Sequence, residues 1–225
     1  MTERRESGRR PLRMALPKGA LYADSVALLA AAGLDVAALE HPGRQLLVPI
    51  GDVECVIAKP TDIPAYLAYG GVDVAIAGKD VLLESALDVV EMADLGFGAC
   101  RFVVAEPEDA ERGVAEIYRH LGVIRVATKY PRIAEAYYAS EGIQVEIVRL
   151  SGNIELAPLI GLADQIVDIT ATGRTLAENH LRVVSEVLTS TARFAANPVS
   201  LMTDTDRVTG LAARLAAVVA SRQEG

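Results

Sequence analysis

The sequence has no tryptophan and few other aromatic residues. Three phenylalanines and seven tyrosines in 225 residues are too few for the base-stacking platforms that bind single-stranded nucleic acids. Positive charge is also scarce, because 22 Lys and Arg stand against 30 Asp and Glu, a net charge of −8. This balance argues against general binding of nucleic acid or of an anionic membrane surface. A small anionic ligand in a local basic pocket is compatible with it.

Cysteine, histidine and long apolar runs are scarce as well. Cys55 and Cys100 form neither a CxxC motif nor a zinc-ligand spacing, so we expect two reduced thiols in a cytoplasmic protein. The three histidines are scattered, which makes a histidine-built metal site improbable. No apolar run reaches the roughly 18 residues of a membrane span. Residues 1–11 lead into no signal-peptide core, and we interpret them as a flexible polar tail.

The rest of the composition is that of a folded α/β protein. Apolar residues make up 51% and charged residues 23%, which excludes a disordered chain. From residue 12, short apolar runs alternate with helical patterns, and this alternation predicts α/β units with parallel sheet. We expect two α/β lobes with the ligand cleft between them. Lobe I comprises residues 12–94 and 188–225, and lobe II comprises residues 95–187.

The C-terminal part carries clear helix signals. Residues 182–196 form one long β-prone stretch, able to cross between lobes. Thr203 and Asp206 have the spacing of a capping box, which predicts that the last helix begins at 203–204. Its apolar stripe is Val208, Leu211, Ala212, Leu215, Val218 and Val219.

The sharpest motif is DQIVDITATGRTL at 164–176. Asp168 lies on a predicted apolar strand, and a loop rich in threonine and glycine then leads into a helix. Gly173 lets the backbone approach a ligand, while the helix N-terminus and the threonine hydroxyls can bind phosphate. Since Asp168 is placed to accept hydrogen bonds from sugar hydroxyls, the motif indicates a ribose 5-phosphate site. The alternative is an ordinary strand–helix loop whose threonines cap the helix.

Basic residues recur at the predicted strand–loop junctions. Each alone is typical of a solvated surface, but six such positions in an acidic protein favour a highly anionic ligand. They are Lys18, Lys59, Lys79, Arg101, Lys129 and Arg149. We find no Ser-His-Asp or Cys-His grouping, and the lack of GxxxxGK[ST] argues against P-loop chemistry.

Several motifs occur in a characteristic order. They are LPKGAL at 16–21, KPTDIP at 59–64, GVDVAIAGKDVL at 71–82, GACRFVVA at 98–105, ATKYP at 127–131, LSGNIELAP at 150–158 and DQIVDITATGRTL at 164–176. As a set, over about residues 12–220, they resemble the catalytic subunit of the ATP phosphoribosyltransferase family. The resemblance implies a fold similar to type II periplasmic binding proteins. It also implies the first reaction of histidine biosynthesis, in which adenine N1 of ATP attacks C1 of phosphoribosyl pyrophosphate and pyrophosphate leaves.

The resemblance further implies residue roles. Phosphoribosyl pyrophosphate would bind the loop 168–175, through Asp168, Thr170, Ala171, Thr172, Gly173, Arg174 and Thr175. Catalytic charge toward the pyrophosphate or the ATP phosphates would come from Lys18, Lys59 and Arg101. ATP would contact Asp73, Lys79, Asn153 and Glu155. Many members carry arginine where this chain has Ala20, so Lys18, Lys59 or Arg174 would supply that charge here.

Cofactors and partners are implied in the same way. Mg²⁺ would be carried by the pyrophosphate rather than by a protein metal site. The catalytic subunits would pair as a homodimer. Long-form members continue into a histidine-binding C-terminal domain, whereas this sequence stops after a helix that ends near Ser221. We therefore expect the short form, which works with a regulatory subunit similar to histidyl-tRNA synthetase in a hetero-octamer.

Two other functions stay open from the sequence. The first is a non-catalytic solute-binding or effector-sensing module on the same two-lobe fold, although no signal peptide marks a secreted binder. The second is a type I salvage phosphoribosyltransferase. Those enzymes typically show two adjacent acids before the Thr/Gly loop, whereas Val167 precedes Asp168 here.

Overall fold

The chain divides into two compact units. The computed structural model describes residues 10–109, 114–170 and 173–223. Unit 1 comprises Met1–Gly98 with Thr191–Gly225, and unit 2 comprises Ala99–Ser190. The lobe boundaries expected from the sequence lie after residues 94 and 187. Of the expected tail, only residues 10 and 11 belong to the described part.

Each unit is built around one sheet. The first strands are β1 (Leu12–Pro17), β2 (Leu47–Ile50), β3 (Val53–Ala58), β4 (Val74–Gly78) and β5 (Val90–Asp94). Those of unit 2 are β6 (Cys100–Pro107), β7 (Ile124–Thr128), β8 (Val145–Arg149), β9 (Gln165–Thr170) and β10 (Leu181–Ser190). The chain returns to unit 1 with β11 (Ala192–Ala196). The strand orders are β2-β3-β1-β4-β11-β5 and β10-β6-β9-β7-β8.

The expected parallel pairing is present in both sheets, which also contain antiparallel pairs and are therefore mixed. Parallel pairing joins β1 to β3 and β4, and β7 to β8 and β9. The remaining pairs are antiparallel. The reason is visible between β2 and β3, which are joined by only Gly51 and Asp52. A two-residue connection can form a hairpin but never a parallel crossover.

Helices connect the strands and cover the sheets. They are α1 (Tyr22–Ala31), α2 (Ala37–Glu40), α3 (Ile63–Ala68), α4 (Lys79–Ser85), α5 (Val114–Leu121), α6 (Pro131–Ser140), α7 (Leu156–Leu159), α8 (Arg174–Glu178), α9 (Pro198–Thr203) and α10 (Thr205–Gln223). A 3₁₀ turn at Pro60–Asp62 precedes α3. Within the described ranges, no helix combines the length and apolar character that crossing a membrane requires.

The C-terminal helices differ from the expectation in one respect. Thr203 is the last residue of α9, and its hydroxyl donates to the Val199 carbonyl at 2.9 Å. The proposed capping box at Thr203 is therefore wrong, because that side chain already serves the preceding helix. The cap of α9 is Asn197, which accepts from the Ser200 N–H at 2.9 Å. The apolar stripe of α10 is confirmed, with Val208 and Leu215 fully buried.

The faces of the unit 2 sheet are covered by different helices. Ile154 and Leu176 anchor the beginnings of α7 and α8 on one face. Ile133 and Tyr138 of α6 pack on the other. The loops that lead into α7 and α8 are consequently held by buried side chains at their downstream ends.

Candidate functional site

Predicted site residues of unit 2 gather where three parallel strands end. The register pairs Thr128 with Arg149 and with Val167, so the ends of β7, β8 and β9 form one sheet edge. The antiparallel β6 begins there, because Arg101 pairs with Thr170. We call this the unit 2 edge, and it comprises Arg101, Lys129, Arg149, Asp168 and Thr170.

Strand alternation places two of these residues on one face. Side chains on a strand alternate between faces. Val103, Ala127 and Ile166 lie in the core cluster beneath α7 and α8. Arg101 of β6 and Asp168 of β9 stand two residues from Val103 and Ile166, on the same face, and Lys129 directly follows the end of β7. The structure thus brings two cations and a carboxylate to one corner of the sheet.

Asp168 is the half-buried acid of this edge. Its Oδ1 accepts from the Ile169 N–H at 2.8 Å. Burial raises the pKa of Asp168, and the charge of Glu155 raises it further, while the Ile169 hydrogen bond and the positive charge of Lys129 oppose the rise. Glu155 therefore lies within electrostatic reach of Asp168, although the resemblance assigned it to ATP.

The described ends of the loop after Asp168 carry groups that could bind an anion. The Thr170 Oγ1 accepts from the Gly173 N–H at 2.7 Å, and its hydroxyl can still donate its proton to an acceptor such as a ligand oxygen. Gly173 has φ +75 and precedes α8. Arg174 and Thr175 are exposed, and Arg174 Nε donates to Glu178 Oε1 at 2.8 Å. Ala171 and Thr172 lie outside the described residues.

The loop before α7 holds Asn153 and Glu155. Asn153 is exposed with φ +30, and its carbonyl accepts from the Leu156 N–H at 3.1 Å. Ile154 between them is fully buried. This anchor holds Asn153 and Glu155 at the sheet.

Unit 1 presents a corresponding row of lysines. The parallel strands β3, β1 and β4 are neighbours, and Lys59, Lys18 and Lys79 follow them directly. The Lys18 N–H donates to the Ala58 carbonyl at 2.8 Å, and the Lys79 N–H donates to the Thr191 carbonyl at 3.0 Å. We call these three lysines the unit 1 edge, a concentrated positive charge in an acidic chain.

A cavity of about 490 Å³ lies against Lys18. Its lining comprises Lys18, Gly19, Tyr22, Pro42, Gly43, Arg44, Gln45, Leu46 and Ile57. Arg44 adds a second cation to this cavity, and sequence reasoning missed it because no motif marks the segment 41–46. The positive charge of Arg44 itself was the only available signal.

Asp73, which the resemblance assigned to ATP binding, lies away from the unit 1 edge. It precedes β4, whereas Lys79 follows that strand, so the two residues sit at opposite ends of it. Arg10 donates to both oxygens of Asp73 at 2.7 Å, and the Arg13 N–H and the Ser200 hydroxyl donate at 2.8 and 2.7 Å. Burial alone would raise the pKa of Asp73, but these donors outweigh it and hold the pKa below its usual value.

The described ranges contain no cluster of three His, Cys, Asp or Glu side chains that could hold a metal ion. A magnesium ion carried by substrate phosphates requires no such cluster, because phosphate oxygens and water supply most of its ligands.

A family model described as HisG, ATP phosphoribosyltransferase, matches residues 59–217. An ATP phosphoribosyltransferase of Moorella thermoacetica is 48% identical over 206 residues, covering 89% of this chain and 90% of the relative. One of Bacillus subtilis is 44% identical over 211 residues, covering 92% and 95%.

Solved structures also resemble this chain. The ATP phosphoribosyl transferase (HisG:HisZ) complex of Thermotoga maritima contains a chain with a TM-score of 0.77 and 32% identity, covering 93% of this chain and 99% of that one. The periplasmic aliphatic sulphonate binding protein SsuA of Escherichia coli has a TM-score of 0.57 at 15% identity, covering 96% and 76%. At that identity the likeness shows the fold alone. It confirms the expected similarity to periplasmic binding proteins.

Proposed function

The chain belongs to the ATP phosphoribosyltransferase family, and from that premise we propose how its residues serve the reaction. The resemblance drawn from the motif set is confirmed, and so is the activity. The enzyme is a pentosyltransferase that joins adenine N1 of ATP to C1 of phosphoribosyl pyrophosphate and releases pyrophosphate. Relatedness across about nine-tenths of the chain carries this conclusion.

The chemistry needs positioning and charge more than a strong base. Adenine N1 already carries a lone pair, whereas C1 gains positive character as pyrophosphate departs. The protein must align two polyanions and stabilise the leaving group. Cations and oriented hydrogen-bond donors, rather than a nucleophilic triad, are the groups suited to this task.

The unit 2 edge suits the phosphoribosyl group. We assign the 5-phosphate to Thr170, Gly173, Arg174 and Thr175, together with Ala171 and Thr172. Asp168 would accept from the ribose hydroxyls. The proximity of Glu155 to Asp168 supports moving Glu155 from ATP to the same ribose.

Leaving-group charge would come from the basic residues. Lys18 and Lys59 of the unit 1 edge are exposed and therefore accessible to phosphate oxygens. Arg101 supplies a guanidinium at the unit 2 edge, where it meets Glu186 at 3.4 Å. Arg44 lines the same cavity as Lys18. Its guanidinium could therefore supply the positive charge that many family members provide with an arginine at the position of Ala20. We keep the assignment of Lys79 and Asn153 to ATP binding.

Magnesium and a partner complete the proposal. Mg²⁺ on the pyrophosphate would stabilise the departing charge as a Lewis acid. The related Thermotoga maritima chain is described in a complex with HisZ. That complex supports a separate partner subunit, and we propose that it is a regulatory subunit similar to histidyl-tRNA synthetase, acting on a homodimer of this chain in a cytoplasmic hetero-octamer.

The function is tested by a coupled assay with ATP, phosphoribosyl pyrophosphate and Mg²⁺, with and without a HisZ-type subunit. We expect pyrophosphate and adduct absorbance, a higher rate with the subunit, and loss of the rate in excess EDTA. Absence of both products with the partner present would contradict the assignment. Guanine in place of ATP tests the salvage alternative, and turnover of guanine alone would favour that alternative.

Gly173→Val tests the phosphate loop. Its left-handed backbone costs an L-residue about 1–2 kcal/mol, and reshaping the loop should raise KM for phosphoribosyl pyrophosphate on the order of 10-fold or more. Gly142→Val is the matched control, because Gly142 has φ +70 and, like Gly173, open space at its Cβ. Equal stability losses with a KM change only in Gly173→Val are expected. Equal KM values would mark the loop as structural.

A further inference from the structure

A cavity of about 670 Å³ lies in unit 2, away from the residues assigned to the transfer. Val104 and Ile124, which line it, belong to the core cluster beneath α6. Arg101 and Asp168 lie on the other face, beneath α7 and α8. The cavity is therefore separated from the unit 2 edge by the sheet itself, and its volume is that of a small-molecule site.

The walls of this cavity are mostly apolar and aromatic. Three tyrosines line it, namely Tyr118, Tyr137 and Tyr138, and aliphatic side chains of β6, β7 and β10 complete the lining. Aromatic side chains pack against flat apolar surfaces over a large area. The walls therefore favour a ligand with an aromatic body.

A chain of hydrogen bonds between polar side chains forms one side of the cavity. The Tyr138 hydroxyl donates to Gln165 Oε1 at 2.7 Å, and Gln165 Nε2 donates to Glu106 Oε2 at 2.9 Å. Arg182 Nε and Nη2 donate to Glu106 Oε1 at 3.2 and 2.6 Å. Because both oxygens of the buried Glu106 carboxylate already accept hydrogen bonds, this acid has little capacity left for a cationic ligand.

Two donors of the lining remain available to a ligand. Arg182 is 55% exposed, and its Nη1 has no acceptor within the part of the chain that the structure describes. Ser185 Oγ accepts from the Tyr137 hydroxyl at 2.8 Å, and its own proton can still be donated. Guanidinium and hydroxyl groups are suited to binding a carboxylate. The remaining charges of the lining, Arg119 and Glu141, are of opposite sign.

A β-bulge turns two successive residues of β10 toward the cavity. Val184 and Ser185 together stand opposite the single residue Val104 of β6. Neighbours on a regular strand face opposite sides of the sheet, whereas Val184 and Ser185 both line the cavity. Bulges often re-aim a side chain beside a site, and this one brings the Ser185 hydroxyl to the apolar wall.

We propose that this cavity binds a small aromatic monocarboxylate, with its ring against the tyrosines and its carboxylate at Arg182 and Ser185. The cavity is too small to admit a folded partner protein. The proposal is independent of the proposed function, because the cavity lies on the face of the sheet opposite to Asp168.

The probe for this site is 3-phenylpropionate. Its binding to the whole chain is measured by saturation-transfer NMR and isothermal titration, without ATP or phosphoribosyl pyrophosphate. We expect saturable binding with a Kd of about 1 mM or below. Neutral 3-phenyl-1-propanol should bind about 10-fold more weakly, because it cannot form the charge-assisted hydrogen bonds. Absence of saturable binding, or equal Kd values for the acid and the alcohol, would overturn the proposal.

Two neighbouring valines of β10 provide a variant and its matched control. Val184→Phe fills the cavity and should abolish binding of 3-phenylpropionate. Val183→Phe should leave the Kd unchanged, because Val183 is 44% exposed, close to the 43% of Val184, but does not line the cavity. Binding of wild-type strength in Val184→Phe would locate the probe elsewhere and contradict the proposal.

A double variant tests the role of Arg182. Arg182→Met combined with Glu106→Gln removes both members of the ion pair, so that no buried carboxylate is left without its cation. In this protein the acid and the alcohol should bind with similar Kd values. A preference for the acid that persists in the double variant would show that Arg182 does not bind the carboxylate.

Discussion

Replacing Asp168 with asparagine is expected to lower kcat/KM for phosphoribosyl pyrophosphate about 100-fold or more. Asparagine keeps the size of the side chain and can still accept from the Ile169 N–H, which donates to Asp168 at 2.8 Å. It removes the negative charge that would hold the ribose hydroxyls and balance positive charge at C1. The loss should therefore fall on the reaction rather than on the fold.

The same substitution should leave stability unchanged or raise it. Burial raises the pKa of Asp168 in the folded chain. A raised carboxyl pKa means that ionisation costs folded-state stability, and the cost is complete once the pH exceeds the folded pKa. At neutral pH Asp168→Asn removes that cost. A large drop in activity with an equal or higher Tm is the signature of a charge kept for function.

Glu146→Gln is the matched control for Asp168→Asn. Glu146 is an exposed acid on β8 of the same sheet, and its loss should change neither kcat/KM nor Tm appreciably. Steady-state kinetics and thermal unfolding of the wild-type chain, Asp168→Asn and Glu146→Gln test both expectations. Activity near the wild-type value in Asp168→Asn would show that the acid has no role in the transfer, whereas unfolding at room temperature would mark Asp168 as a structural residue.

Local sequence signals predicted the unit 2 edge well. The strands at 124–128 and 165–169 were delimited by apolar runs and by glycine or proline, and strand ends in parallel register meet at one edge. This is why Asp168 and Lys129 could be placed near strand ends from the sequence. Their mutual approach, and that of Glu155, depends on the order β9-β7-β8, which no local pattern specifies.

Long-range partners account for what the sequence did not predict. The hairpin strand β2 and the edge strand β5 are short and carry weak alternation, so the mixed sheets were not foreseen. Arg44 lies in a segment without a motif, and only the folded chain puts it beside Lys18. Asp73 stands in a matching motif, yet its donors Arg10 and Ser200 are 63 and 127 residues away.

Replacing Asp73 with asparagine is expected to lower the free energy of unfolding by about 1–3 kcal/mol, because the Ser200 hydroxyl and the Arg13 N–H lose a charged acceptor while the exposed Arg10 can turn to water. The Asp73 side chain is 4% exposed, so water cannot replace the hydrogen bonds that the carboxylate loses. An asparagine amide would face the donors of Arg10 and Ser200 with donors of its own. Denaturant unfolding measures the loss. Ser200→Ala, which removes one donor, should cost only about 1 kcal/mol.

The pH dependence of stability gives Asp73 an independent test. Its folded pKa lies below the usual value, so its contribution is fully present above the unfolded pKa of about 3.9 and is lost as pH falls through the folded pKa. Asp73→Asn should therefore flatten the acid side of the stability curve, whereas replacing the exposed Asp88 should not. If Asp73 instead bound ATP, the variant would raise KM for ATP at nearly wild-type stability. The four donated hydrogen bonds favour the first outcome, because a saturated carboxylate has little capacity left for a nucleotide.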